Sequence, residues 1–169
     1  MATFKTLFCP HFPFFIFCVI IEKTKKMEVI ILKEYTHKVH YYETDKMGVT
    51  HHSNYIRWME EARVHYLDEI GFGYDALEKS GIISPVISIE GDYKMTTTFD
   101  DIINIKVSIK EFKGVKLIIS YVMTNAKTGD LVFTGISKHC FLNKNNKPVI
   151  LKKDYPEFDK CLKNLINPI

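Results

Sequence analysis

One stretch of this chain has the length and patterning of a major helix, and four strand-like runs come after it. Tyr55, Met59, Ala62, Tyr66 and Ile70 recur at helical spacing, and Trp58 and Leu67 widen the apolar stripe. Ser53 or Asn54 can cap its start, and Gly71 and Gly73 end it. A helix apolar over so wide an arc has to be buried against a sheet, and the sequence supplies one. Four runs alternate with period two: Ile83, Pro85, Ile87 and Ile89; Ile103, Ile105, Val107 and Ile109; Leu117, Ile119, Tyr121 and Met123; then Leu131, Phe133 and, past Gly135, Phe141. A fifth run, residues 33–42, precedes the helix, with Tyr35, His37, Val39 and Tyr41 on one face. Turns are legible at "KG", "NAKTG" and "NKNNK". A short helix is expected over "YDALEKSG", and Pro156 opens a C-terminal helix that buries Phe158, Cys161, Leu162 and Leu165. The expectation is an α+β domain: a five-stranded antiparallel sheet wrapped around one long central helix.

Composition excludes more than it selects. A net charge of +3 over 169 residues, with no basic run or recognition motif, argues against nucleic-acid binding. Cys9, Cys18, Cys140 and Cys161 form no CxxC pair, so a zinc ribbon or redox dithiol is not expected. Cys140 and Cys161 read as free thiols of a cytoplasmic protein.

Residues 1–26 break the pattern. "LFCPHFPFFIFCVII" is almost wholly apolar, but it is shorter than a spanning helix and holds Pro10 and Pro13. No small-x-small cleavage site follows it, and Lys23, Lys25 and Lys26 would keep the downstream domain inside the cell. The segment reads as an N-terminal extension outside the domain, which spans 27–169; membrane contact through it is the less favoured reading.

The chemistry concentrates in "YYETDKMGVTHHSNYIRWMEEAR", residues 41–63, where a strand gives way to a loop and the loop to the helix. A lone Asp before a glycine is ordinarily a turn residue, and adjacent histidines rarely converge on one metal ion, so no metal is expected at His51 and His52. Glu60 and Arg63, three apart on the helix, can pair on its surface.

The spacing Y-x-x-x-D-x-x-G-V-x-x-H-x-x-Y, set between a strand and a long helix, resembles the hotdog-fold acyl-CoA thioesterases of the 4-hydroxybenzoyl-CoA thioesterase type, a group that includes the Tol-Pal-associated bacterial thioesterase. The likeness covers residues 33–145. It implies hydrolysis of acyl-CoA without a cofactor, with Asp45 as the catalytic carboxylate, acting as general base or as nucleophile. It also implies site roles for Tyr41 and His52. Substrate contacts are expected from Gly48, Val49, Ser53, Asn54 and Tyr55, with backbone N–H groups at the helix start holding the oxyanion. Lys113 and Lys116 are the expected phosphate contacts, with a solvated hairpin turn as the rival reading. Met47 and His51 depart from the residues common at their positions and bear on the acyl pocket. The resemblance further implies a homodimer or homotetramer, in which "ISPVIS" forms part of the partner wall. A carrier-protein thioesterase and a non-catalytic acyl-CoA-binding module are the alternatives.

Overall fold

Five strands in the spatial order β3-β6-β7-β8-β5, antiparallel throughout, carry the fold. The computed structural model describes residues 18–23 and 26–166. Along the chain these are β1 (Cys18–Lys23), β2 (Lys26–Ile31), β3 (Tyr35–Lys38), a 3₁₀ turn (Tyr41–Glu43), α1 (Ser53–Glu69), α2 (Tyr74–Ser80) and β4 (Ile82–Ile83). Then come β5 (Val86–Tyr93), β6 (Ile102–Phe112), β7 (Lys116–Asn125), β8 (Leu131–Cys140), β9 (Leu142–Asn143), α3 (Leu151–Asp154) and α4 (Pro156–Ile166). β1 and β2 form a hairpin apart from the main sheet, with Met27 opposite Glu22, so the expected boundary at residue 26 falls inside it. What was expected of residues 1–17 lies outside the described residues. No helix among the described residues is long and apolar enough to cross a membrane.

Period-two patterning places Ile103, Ile105 and Ile109 of β6, Leu117, Ile119, Tyr121 and Met123 of β7, and Phe133 of β8 on one buried face. The long helix α1 turns Tyr55, Trp58, Met59, Ala62, Tyr66 and Leu67 into the same core. α4 adds Phe158, Cys161, Leu162 and Leu165. Cys140 is half-buried and Cys161 buried.

Three expectations are corrected. The first strand stops at Lys38 instead of reaching residue 42, because the Glu43 carboxylate takes the backbone N–H of His40 at 2.7 Å and bends the chain into the 3₁₀ turn. Tyr41 is therefore 78% exposed and not on a strand face. Pro85, which has no N–H for a ladder, separates β4 from β5. Leu131 is exposed because a register shift opposite Met123 and Thr124 leaves Val132 unpaired, which turns Val132 and Phe133 inward instead.

A buried polar chain crosses the interior beside α1. The Tyr121 hydroxyl lies 2.9 Å from Ser137 Oγ, which lies 2.6 Å from His139 Nε2. Burial, and then the neighbouring Arg63 charge, push His139 down to about 4. An imidazole lowered on folding binds more protons in the unfolded chain, so stability falls as pH drops from the ordinary histidine range near 6.5 toward about 4. Between those values the wild-type protein should lose at most about 1.4 kcal/mol per pH unit through this residue. Urea titrations of wild type and His139→Asn across that window should show a flatter pH dependence in the variant; equal slopes would mean that His139 is not the titrating group.

Candidate active site

The loop between the 3₁₀ turn and α1 is built from its own backbone. Asp45 N–H donates to Val49 O at 2.8 Å, and Gly48 N–H donates to Asp45 O at 2.9 Å. Gly48 sits at φ +76°, where a side chain is disfavoured. Asp45 Oδ1 accepts the Met47 N–H at 2.8 Å, so the aspartate shapes the turn it occupies, while its other oxygen has no donor among the described residues. Bridges from Thr44 to Thr50 and from Val49 to Thr98 close the loop and fix it to the segment after β5. Beneath it runs a buried hydroxyl chain: Tyr55 OH lies 3.0 Å from Thr97 Oγ1, which donates to Thr50 Oγ1 at 2.6 Å. Burial raises the Tyr55 phenol above its ordinary value, so it stays protonated.

One residue holds this loop to the helix. The Glu43 side chain, 5% exposed, accepts Trp58 Nε1–H at 2.7 Å and the His40 N–H, and faces His37 Nε2 at 2.9 Å. Its carbonyl accepts the His51 N–H and Asn54 Nδ2–H, both at 2.8 Å. Burial alone would raise this carboxyl, but hydrogen bonds from His37, the His40 backbone and Trp58 outweigh it and hold the group below the ordinary carboxylate range. His37 faces a second carboxylate through Nδ1, Glu61 Oε2 at 3.1 Å, and Glu61 also accepts the Tyr35 hydroxyl at 3.0 Å. Burial, then the Glu61 hydrogen bond, push Tyr35 up to about 12. Sequence reading missed Glu43 and His37; the available signal was an acidic residue inside an otherwise aromatic run.

Helix α1 starts at Ser53 with His52 in the cap position, and no side chain caps it. Ser53 Oγ lies 2.9 Å from His51 Nδ1, while Asn54 is committed to Glu43, so neither is the cap that the sequence suggested. With no acidic residue in its first turn, the positive end of α1 is left without a charge of its own to neutralise it. His52 is exposed, its ring 4.1 Å from that of His51 and its carbonyl accepting Tyr93 OH at 3.0 Å. Tyr41 packs edge-on against Phe99 at 5.8 Å. Tyr41 is exposed on the 3₁₀ turn, Asp45 half-buried in the loop after it and His52 exposed at the start of α1, and among the described residues no side-chain hydrogen bond joins them.

Other expected residues lie elsewhere. Lys113 and Lys116 sit at the hairpin where Phe112 faces Leu117, the opposite end of the sheet from the loop, and Lys113 pairs with Glu111 at 2.7 Å. Arg63 does not pair with Glu60: it is buried, with its guanidinium 5.1 Å from the Tyr74 ring centroid. A cavity of about 250 Å³ opens at the β3 edge, between Tyr35, His65, Lys106 and Leu165, away from the loop. His37, His40 and Glu43 bring potential metal-ligand atoms within 4.8 Å of one another, but the shared Glu43 oxygen already takes the His40 N–H, so an ion would have to break the clasp.

The family model described as the thioesterase-like superfamily matches residues 39–163. The YneP protein of Bacillus subtilis is 33% identical over 122 residues, 72% of this chain and 88% of its own length. The acyl-CoA thioester hydrolase YbgC of Escherichia coli O6:H1 is 28% identical over 116 residues, covering 69% of this chain and 87% of that protein. Among solved structures, a DHNA-CoA thioesterase from Staphylococcus aureus superimposes with a TM-score of 0.74 at 31% identity, over 78% of this chain and 88% of that one.

The clasp makes its own prediction. Glu43→Gln keeps the shape but removes a buried charge and its charge-assisted bonds, so denaturant unfolding at pH 7 should show a loss of about 2 kcal/mol or more. Because the Glu43 carboxyl is lowered on folding, its contribution is present above the ordinary carboxylate range and lost as pH falls below it. The gap between wild type and variant should therefore narrow toward pH 3; a gap that is constant with pH would refute the charged role.

Proposed function

Because the chain belongs to the thioesterase-like superfamily, we propose that it hydrolyses acyl-CoA esters to the free acid and coenzyme A with Asp45 as the general base. It is a thioesterase, and the observation that supports this carboxylate is the loop itself: Asp45 is half-buried, pinned through Oδ1, and set in the short connection that leads into the uncapped start of α1.

The reaction needs an activated attacker and a place for negative charge. The free Asp45 oxygen takes a proton from water as its oxygen attacks the thioester carbonyl. The carbonyl electrons move onto oxygen, where N–H groups of the first turn of α1 donate to the oxyanion. Collapse re-forms the carbonyl and breaks the C–S bond, and the thiolate leaves without needing a strong acid. His52 and Tyr41, both exposed, are assigned the orientation of water and the thioester. No step calls for a metal or cofactor.

The site reading extends to assembly. Among the described residues β5 is the last strand of the sheet and its outer edge is unpaired. Ile89 and Tyr93, on the face turned toward the core, are 37% and 51% exposed. An apolar, unpaired edge is a liability in an isolated protein. Two copies pairing along β5 would cover it and bring a partner wall to the loop, giving the homodimer expected from the sequence.

The test is thiol release from acetyl-, butyryl-, hexanoyl-, palmitoyl-, benzoyl- and phenylacetyl-CoA by wild type and Asp45→Asn. The variant should fold and assemble normally and lose at least ~10²-fold in kcat. Turnover unchanged in the variant would move the catalytic role to another carboxylate. Incorporation of ¹⁸O from labelled water into Asp45 during turnover would replace the base with a nucleophile.

A further inference from the structure

We infer that Phe133 is the stop that sets how large an acyl group this enzyme accepts, seated in a slot that Gly91 and Gly135 make for it; this rests on the thioesterase reading above. Gly91 of β5 and Gly135 of β8 face each other as cross-strand partners. A Cβ on Gly91 would lie 2.4 Å from Phe133 Cζ, and one on Gly135 would lie 2.7 Å from Phe133 Cε1 and 3.0 Å from Met59 Sδ. The Phe133 ring therefore lies across both glycines, and any side chain at either position would displace it. Glycine inside a strand costs order and packing, so two of them opposite each other mark a place where something must approach the backbone closely. Here that something is a ring that can rotate.

The position of the ring gives it a role in the site. The Tyr93 hydroxyl donates to the His52 carbonyl at the start of α1, and the Tyr93 ring lies 5.1 Å from Phe133. One tyrosine side chain thus spans the distance from the candidate loop to Phe133. An acyl group with its carbonyl at the helix start, lying along Tyr93, meets Phe133 after about one ring's length. Tyr55 packs the ring from the helix side at 5.3 Å, so rotation in that direction is blocked. Beyond the glycines the apolar shelf continues along β5 through Ile89, half-exposed, with no helix over it. With Phe133 in place, the site takes compact acyl groups; with the slot vacated, the shelf becomes continuous and longer groups fit.

A purely structural ring would act on every substrate alike, so the informative quantity is a ratio. The acyl-CoA panel is measured with wild type, Phe133→Leu and Gly91→Ala, and kcat/KM for hexanoyl-CoA is divided by that for acetyl-CoA. Phe133→Leu should raise this ratio about tenfold or more, the scale of one or more methylenes gained in an apolar pocket. Gly91→Ala pushes the ring toward the substrate and should lower it. Gly91 lies on an exposed edge, so this variant serves if Phe133→Leu does not fold. Ratios within twofold of wild type in the folded variants would overturn the inference and leave the thioesterase reading standing. No thiol release by wild type from any ester would overturn both.

Discussion

The architecture around the loop depends on one buried carboxylate. Glu43 joins three parts of the chain that would otherwise be free to slide: the end of β3 through His37 and His40, the far side of the loop through the His51 N–H, and the second turn of α1 through Trp58. A buried carboxylate with fewer donors would be costly, since each unmet lone pair forfeits its hydration. With a backbone N–H, an indole N–H and an imidazole around it, the same group becomes an organising centre. The distance between the aspartate loop and the helix start is therefore set by polar contacts with fixed geometry, not by apolar packing, which tolerates sliding.

A second constraint follows from having one long helix. α1 and α4 cover β3, β6, β7 and β8, and their apolar face is largely satisfied there. β5 meets α1 at Tyr93, whose ring packs edge-on against Tyr55 at 5.2 Å, while Ile89 farther along the strand stays 37% exposed although it carries the same alternation as the rest of the sheet. The uncovered strand begins where the loop ends, with Tyr93 bonded to the His52 carbonyl. The surface left bare by the helix and the surface next to the candidate site are thus the same surface.

Periodicity made the regular parts legible. Period-two runs in β6, β7 and β8 and the wide stripe of α1 were readable because burial acts on every second residue of a strand and on one arc of a helix. Failures fell where a local polar contact overrode the pattern. The run through Tyr41 looks like strand until Glu43 takes the His40 N–H; Leu131 looks inward until a bulge advances the register by one residue. At the site, the Gly48 turn and the helix start were legible from the residues and Asp45 was singled out only through the family resemblance, whereas the contacts of Glu43, His37, Thr97 and Phe133 were not legible. Their roles depend on residues up to about fifty positions away, a distance at which sequence spacing carries no geometric information.

Glu43 and Asp45 are two residues apart and have opposite fates, and the difference is instructive. Both are carboxylates on the same short connection. Glu43 turns inward, faces Trp58, the His40 N–H and His37, and is held below its usual range, so it is tied to being an anion and its bonds serve the fold. Asp45 is half-buried, and among the described residues its side chain meets one donor, the Met47 N–H. A catalytic base needs an open lone pair at a fixed position, and these two requirements conflict within a single residue, because the bonds that fix a carboxylate also occupy it. The loop separates them. Glu43 supplies the fixing, Asp45 keeps the open lone pair, and the tight turn at Gly48 transmits the position of one to the other.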